Sequence, residues 1–316
     1  MDLSVVIVSF NTRQLLQRCL DAVCADTQSL TPQIFVVDNA SADDSPRIVT
    51  QCYPHVTLIA NERNVGFAAA NNQAIRQASG EFVLLLNPDA FVHRGAIPTL
   101  LQFMHSRPRA GFCGALLLNE DGTVQPSARR FPTPARFLTA SVRPLARLTG
   151  AEHGLDIHGK HAPPATPVKA DWISGACLLV RMTAIQQVGL MDEGFFLYFE
   201  ETDWCRRMHA AGWEGWLVPA ARATHLLGAS INLERSAGQP FDSSHPLHWL
   251  ESRRRYMRRH HGLTGMWFTE AVDMAGNAFD WLRLRRRSDP ASRRRAAAAR
   301  QALSCLRDPR RSQAQK

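Results

Sequence analysis

At 316 residues with 45% hydrophobic content, the chain is long enough to bury a sizeable core, either as one large α/β domain or as a domain with appendages. The net charge of +9 is concentrated at one end: residues 253–316 carry seventeen Lys or Arg against five Asp or Glu, which leaves residues 1–252 at about −3. No uncharged apolar run reaches membrane-span length and Asp2 precedes the first apolar segment, so neither a signal peptide nor a spanning helix is expected; seven cysteines without a C-x-x-C pair fit buried thiols in a reducing cytoplasm.

Apolar runs rich in Val, Ile and Leu recur at 3–10, 34–38, 56–60 and 82–86. Between them, Leu15, Leu16, Cys19, Leu20 and Val23, then Ile48, Val49 and Cys52, then Ala69, Ala70, Ala74 and Ile75 keep helical spacing. Strands alternating with helices predict a doubly wound, mostly parallel sheet covered on both faces. Ligands of such sheets gather beyond the carboxyl ends of the strands. Here those ends are Ser9 to Asn11, Asp38 and Asn39, Asn61 to Asn64, and Asn87 to Asp89. One polar end is ordinary turn chemistry, whereas four at one edge predict a cleft for a polar ligand.

Missing motifs narrow that ligand. "SFNTRQ" follows the first strand in place of G-x-G-x-x-G, and no G-x-x-x-x-G-K-[ST] exists, which argues against a dinucleotide oxidoreductase and a P-loop ATPase. A nucleotide held by side chains and a metal remains, with Asp38 on base or ribose and Asp89 as the metal carboxylate.

Residues 125–170, rich in Pro, Arg, His and Gly, read as a long loop excursion. Order returns with a buried strand from Trp172 to Val180, a short helix from Met182 to Val188, a helix from Thr202 to Ala211 stopped by Gly212, and a strand leading through Pro219 to His225. Glu200, Glu201 and Asp203 follow the aromatic run "FFLYF". Acids in a first helical turn complement the macrodipole and need no other reason, but the apolar lead-in would carry them towards an enclosed site. His225 and Asp89 could share an octahedral Mg²⁺ or Mn²⁺ with diphosphate oxygens and water, the imidazole leaning towards Mn²⁺.

Together, "VVIVSFN" (5–11), "VVDNASADDS" (36–45), "NVGFAAANN" (64–72), "LLNPDA" (85–90), "WISGACLLVR" (172–181), "VGLMDEGFFLYFEETDWCRR" (188–207) and "HLLGAS" (225–230) resemble the inverting glycosyltransferases of family 2, in their bacterial rhamnosyltransferase-like branch. The resemblance spans residues 3 to about 262 and implies a GT-A type fold. It implies a nucleotide-sugar-binding half (1–124), the variable excursion (125–170) and an acceptor-binding, catalytic half (171–262), leaving an amphipathic helix and basic tail (263–316).

By the same resemblance, Asn87-Pro88-Asp89 occupies a D-x-D position, with Asp89 the metal ligand and Asn87 near ribose or sugar. His225 matches a metal-binding His, and Asp38 the acid that contacts the nucleobase. Arg63 and Asn64 lie where the family touches base or phosphate, and Ser9 and Asn11 complete the nucleotide edge. The base falls on Glu201, the second residue of an acidic pair that is usually Glu-Asp; the extra methylene leaves Glu200 and Asp203 as alternatives. The implied reaction moves a sugar, dTDP-L-rhamnose being the branch's donor, to a glycan or lipid-linked acceptor in surface polysaccharide synthesis. It needs Mn²⁺ or Mg²⁺ to stabilise the leaving diphosphate and a carboxylate to take the acceptor proton.

In the tail, Trp267, Phe268, Ala271, Val272, Ala275, Ala278, Phe279 and Leu282 share one helical face and Glu270, Asp273, Asn277 and Asp280 the other. Such a helix packs on its own domain, meets a protein partner, or lies on a membrane; the arginines at 283, 285–287 and 293–295 favour anionic lipid, and with it a cytoplasmic enzyme peripheral to the inner membrane face. Nucleic-acid binding is the rival reading of a basic tail, but the charge lies outside the cleft and no nucleic acid is expected. A nucleotidyltransferase on a similar fold is the nearer enzymatic alternative.

Overall fold

The computed structural model describes residues 2–141, 164–226 and 245–285. Two compact units divide the chain, one of residues 1–131 and 156–241, the other of residues 132–155 and 242–316.

The first unit is built on β1 (Leu3–Ser9), β2 (Gln33–Asp38), β3 (Thr57–Ala60) and β4 (Phe82–Leu86), ordered β3-β2-β1-β4 and all parallel. Their residues alternate between two cores. Leu3, Val5 and Ile7 of β1 with Phe82, Leu84 and Leu86 of β4 meet α1 (Arg13–Asp26), α2 (Ser45–Cys52) and α4 (Ala96–Ser106). Val6 and Val8 with Val83 and Leu85 meet α3 (Phe67–Ile75), α6 (Met182–Val188) and α7 (Glu200–Ala210). A strand covered on both faces has no solvent side to mark with polar residues, which is why β1, β2 and β4 read as continuously apolar, while β3, at the sheet edge, is half exposed.

Beyond β4 the sheet continues as β11 (Cys177–Arg181), β6 (Ala110–Leu118), β12 (Glu214–His225) and β5 (Ala90–Val92). Antiparallel β11 is inserted between β4 and β6, while β6 and β12 run parallel. The strand expected over Trp172–Val180 is broken: β10 (Trp172–Ile173) pairs with β8 (Ala128–Arg129) in a separate ribbon, and a turn at 174–176 leads into β11. β12 accommodates Pro219 because its ladder to β6 passes from Val218 to Arg222 through an irregularity, where a missing N–H leaves no ladder bond unmade. Residues 125–170, expected as a loop, carry in their described part β8, α5 (Pro134–Ser141) and β9 (Val168–Lys169); residues 142–163 lie outside the description.

In the second unit α5 packs against α8 (His245–Leu284), which is interrupted at Gly262 (φ 69°, ψ −176°). The helical segment thus begins at His245, well before the expected 263, and the residues "RRRYMRRHH" are helical. Across the interruption Arg253 reaches Glu270 and Asp273 at 2.6 and 2.8 Å, so the two segments lie side by side. The expected arginines at 286, 287 and 293–295 lie outside the described residues. Among the described residues no helix is long and apolar enough to cross a membrane.

Candidate functional site

The carboxyl edge of the parallel strands is tied together by side chains. After β1, Ser9 is buried with its Oγ 2.9 Å from Thr12 Oγ1. Asn11 adopts φ 52°, a left-handed conformation that Asn tolerates; its N–H donates to Ser41 Oγ (2.9 Å) and its Oδ1 accepts from the Ala42 N–H (2.7 Å). Asp38, only 2% exposed, accepts the Ser41 N–H on Oδ2 (2.9 Å), while its buried Oδ1 has no hydrogen-bond partner. A buried carboxylate oxygen left unmatched is costly unless a ligand donor meets it.

The loop after β3 is organised by Asn39, whose Oδ1 accepts from Asn61 Nδ2 (3.1 Å) and the Val65 N–H (3.2 Å). Arg63 is exposed at this rim; Asn64 turns its Oδ1 onto the Gly66 N–H at 2.9 Å, so that carbonyl serves the loop. Gly66 is required here twice over: its φ is +86°, and a Cβ would stand 2.6 Å from the Phe196 carbonyl oxygen.

At the end of β4, Asn87 to Ala90 form a turn in which the Ala90 N–H donates to the Asn87 carbonyl (3.0 Å), with Pro88 at the second position, where its fixed φ is favourable. Asp89 follows, and strand pairing fixes its surroundings. Antiparallel pairing places His225 of β12 opposite Ala90 of β5, and the Leu226 N–H donates to the Asp89 carbonyl at 3.0 Å. His225 Nε2 consequently lies 3.4 Å from Asp89 Oδ1, both side chains buried. Nδ1 of His225 meets Gln125 Oε1 at 2.6 Å, and Gln125 Nε2 donates to Asn119 Oδ1 at 3.0 Å. Gln125 is therefore the acceptor and His225 Nδ1–H the donor. With Nδ1 held by Gln125, the ring presents Nε2 to the Asp89 carboxylate, and both can turn to one cation. The donor set of one imidazole and one carboxylate, with the ring's other nitrogen held, fits a divalent ion. Among the described residues no group of three or more His, Cys, Asp or Glu could hold a metal, so an ion here would complete its shell from phosphate oxygens and water.

The turn at 174–176 connects this corner to the acidic helix. The Asn87 N–H donates to the Ala176 carbonyl (3.1 Å), and the backbone N–H of Gly175 in the same turn is among the groups that draw the Glu201 pKa down. α7 begins at Glu200, two residues before the expected start, because Tyr198 and Phe199 both adopt left-handed backbone (φ 71° and 68°) and the Phe199 carbonyl already accepts the Asp203 N–H. Two consecutive non-glycine residues in that region store strain of about 1–3 kcal/mol each, a cost found mainly where function needs it.

Of the three acids, the structure separates one. Asp203 is fully buried in an ion pair with Arg207 Nε (2.9 Å), whose guanidinium also donates to the Val188 and Leu190 carbonyls at 2.6 and 2.8 Å. Its partners give it a structural task, pinning α7 to the segment after α6. Glu200 and Glu201 each retain a buried Oε2 without a hydrogen-bond partner. Burial pushes the Glu200 carboxyl well above its ordinary range, with the neighbouring Glu201 charge adding to it. Glu201 is raised by burial too, opposed by the backbone N–H groups of Glu201, Gly175 and Thr202 and by the Arg129 guanidinium. Neither Gln125 nor Arg129 stands out in the sequence, since both fall in the stretch that reads as a loop.

Compared with known proteins, residues 4–161 match the family model described as Glycosyl transferase family 2. An N-acetylglucosaminyl-diphospho-decaprenol L-rhamnosyltransferase of Mycobacterium tuberculosis is 34% identical over 238 residues, covering 71% of this chain and 75% of that one. Rhamnosyltransferase WbbL of Escherichia coli K12 is 26% identical over 230 residues, 70% of this chain and 82% of its own. In fold, the chain resembles the mannosyltransferase PcManGT of Pyrobaculum calidifontis, solved in complex with GDP-Man and Mn²⁺, with a TM-score of 0.55 at 17% identity over 98% of this chain and 82% of that one.

Proposed function

The chain belongs to glycosyl transferase family 2, and from that premise we propose that it transfers L-rhamnose from dTDP-L-rhamnose, with inversion, to a hydroxyl of a lipid-linked glycan in surface polysaccharide synthesis. The lipid-diphosphate acceptor and the rhamnosyl group are suggested by the name of the mycobacterial relative. Asp38 supports a thymine or uracil base, because its unmatched Oδ1 suits the imide N–H that both carry and cytosine lacks. Such an acceptor would place the enzyme at the inner membrane face.

The observation that carries the reading is the position of Glu201. Its carboxylate keeps a buried oxygen without a hydrogen-bond partner and feels the backbone N–H of Gly175, in the turn that anchors Asn87 two residues from the Asp89–His225 corner. In the mechanism Asp38 orients the base and Asn87 faces ribose or sugar. Asp89 and His225 would hold Mn²⁺ or Mg²⁺, with Gln125 fixing the imidazole. When bound, the ion neutralises charge developing on the departing diphosphate. Glu201 takes the proton from the acceptor hydroxyl as oxygen attacks the anomeric carbon and the carbon–phosphate oxygen bond breaks. Its raised affinity for protons brings it nearer to the operating pH, where a general base is most effective. A single displacement needs no enzyme nucleophile and inverts the centre.

The test is incubation with dTDP-L-rhamnose and a panel of other nucleotide sugars, with Mn²⁺ and a short-chain lipid-diphosphate N-acetylglucosamine acceptor. Release of dTDP and a product of inverted anomeric configuration is expected. No dTDP from the nucleotide sugars, but pyrophosphate from a parallel incubation with dTTP and a sugar 1-phosphate, would select the nucleotidyltransferase alternative, and a retained configuration would remove Glu201 from the role of base.

A further inference from the structure

The second segment of α8 is inside out. Thr269 and Glu270 are buried, and Glu270 receives Arg253 Nη2 (2.6 Å) and Arg254 Nη2 (2.8 Å), while Asp273 receives Arg253 Nη1 (2.8 Å). Asn277 Nδ2 donates to Asp273 Oδ1 at 3.0 Å. The polar stripe therefore faces inward, matched by arginines of the first segment. On the other side Leu263, Trp267, Phe268, Met274, Phe279 and Leu282 are exposed, Trp267 at 65% and Phe279 at 62%. At 100° per residue these six fall within roughly 160° of arc, along a face about 30 Å long. No charged residue interrupts that arc between 263 and 282.

A surface helix normally buries its apolar stripe. This one cannot rotate to do so, because rotation would strip the buried Arg253 of both its acids, and breaking a buried charge cluster is severely destabilising. The outward apolar face is thus the arrangement the ion pairs enforce.

We propose that this face is a docking surface for an anionic phospholipid bilayer, the helix lying in the interfacial plane. The charge pattern selects this occupant. Arg258 and Arg259 are exposed just before Gly262, and residues 283–316 carry twelve Lys or Arg against two Asp. An apolar strip bounded at both ends by positive charge complements acidic headgroups and repels a second copy of itself. Trp and Phe on the strip are suited to the water–hydrocarbon boundary. The surface stands independently of the donor and of the base.

The experiment is co-sedimentation of the full chain with vesicles of phosphatidylglycerol and phosphatidylcholine, and with phosphatidylcholine alone. Binding to the anionic vesicles, weakened by salt, is expected, and replacing Trp267, Phe268 and Phe279 together by Gln should lower it by at least about tenfold. Circular dichroism and turnover of a soluble acceptor should stay unchanged in that variant. Trp267→Phe keeps the apolar strip, so it should retain binding but lose much of the fluorescence quenching by brominated lipid. No sedimentation with anionic vesicles, undiminished binding by the triple variant, equal binding to neutral vesicles, or a wild-type dimer dissociated by the triple variant would each overturn the proposal.

Discussion

His225 Nε2 stands 3.4 Å from Asp89 Oδ1 although 136 positions separate the two residues, because β12 pairs with β5 in a register that sets His225 opposite Ala90. If this corner holds a divalent ion, Asp89→Ala should abolish the Mn²⁺-dependent tightening of dTDP, read by calorimetry with and without the ion. Equal affinity in wild type under both conditions would remove the ion from donor binding.

Gln125 acts through His225, holding Nδ1 at 2.6 Å. Gln125→Leu should leave the fold intact and raise the Mn²⁺ concentration needed for half-maximal donor binding by about 10- to 100-fold, the usual cost of losing such support. Saturating Mn²⁺ should then restore most activity; a loss insensitive to Mn²⁺ would give Gln125 a different task.

The acidic pair predicts two pH effects. A base that binds protons more tightly than usual loses activity on acidification at a higher pH than an ordinary carboxylate of pKa 4.5 would, and because Arg129 opposes the shift, Arg129→Leu should move the acid limb of kcat/KM higher still. Glu200 carries a folded-state pKa above its unfolded one, so the native protein holds the extra proton between those two values. Its contribution to stability is present below the unfolded pKa and declines as pH rises towards the folded one. Glu200→Gln should flatten that decline in urea denaturation series from pH 5 to 9; an unchanged slope would contradict it.

Asp203→Ala should act on stability. It leaves the Arg207 guanidinium without its carboxylate in a largely buried site, which costs about 3–5 kcal/mol. The folded fraction should keep dTDP affinity close to wild type, as checked by calorimetry after denaturant titration.

Much of this architecture is legible in the sequence wherever one local rule governs. The apolar runs of β1, β2 and β4 announce buried parallel strands, that of β3 a parallel strand at the half-exposed sheet edge, and Met182–Val188 is helical as its spacing predicts. The continuous strand expected over Trp172–Val180 fails because the turn at 174–176 hands the chain from a short ribbon to the main sheet, a tertiary event without periodic signature. Similarly, Tyr198 and Phe199 are poor residues for left-handed backbone, so nothing local marks Glu200 as the helix start. The sequence offers Asp38, Asp89, Glu201 and His225 as site residues by resemblance, yet gives no hint of Gln125, which the fold brings to His225 across 100 positions. The tail helix shows both faces in its periodicity; that its polar face turns inward depends on Arg253, beyond the Gly262 interruption.

Rhamnosyl transfer by Glu201→Gln decides whether Glu201 is the general base. The amide preserves shape but cannot accept the proton, so single-turnover transfer should fall by about 10² to 10⁴, with dTDP-L-rhamnose and Mn²⁺ affinities close to wild type. Transfer within a few-fold of wild type in that variant would show that another group takes the proton.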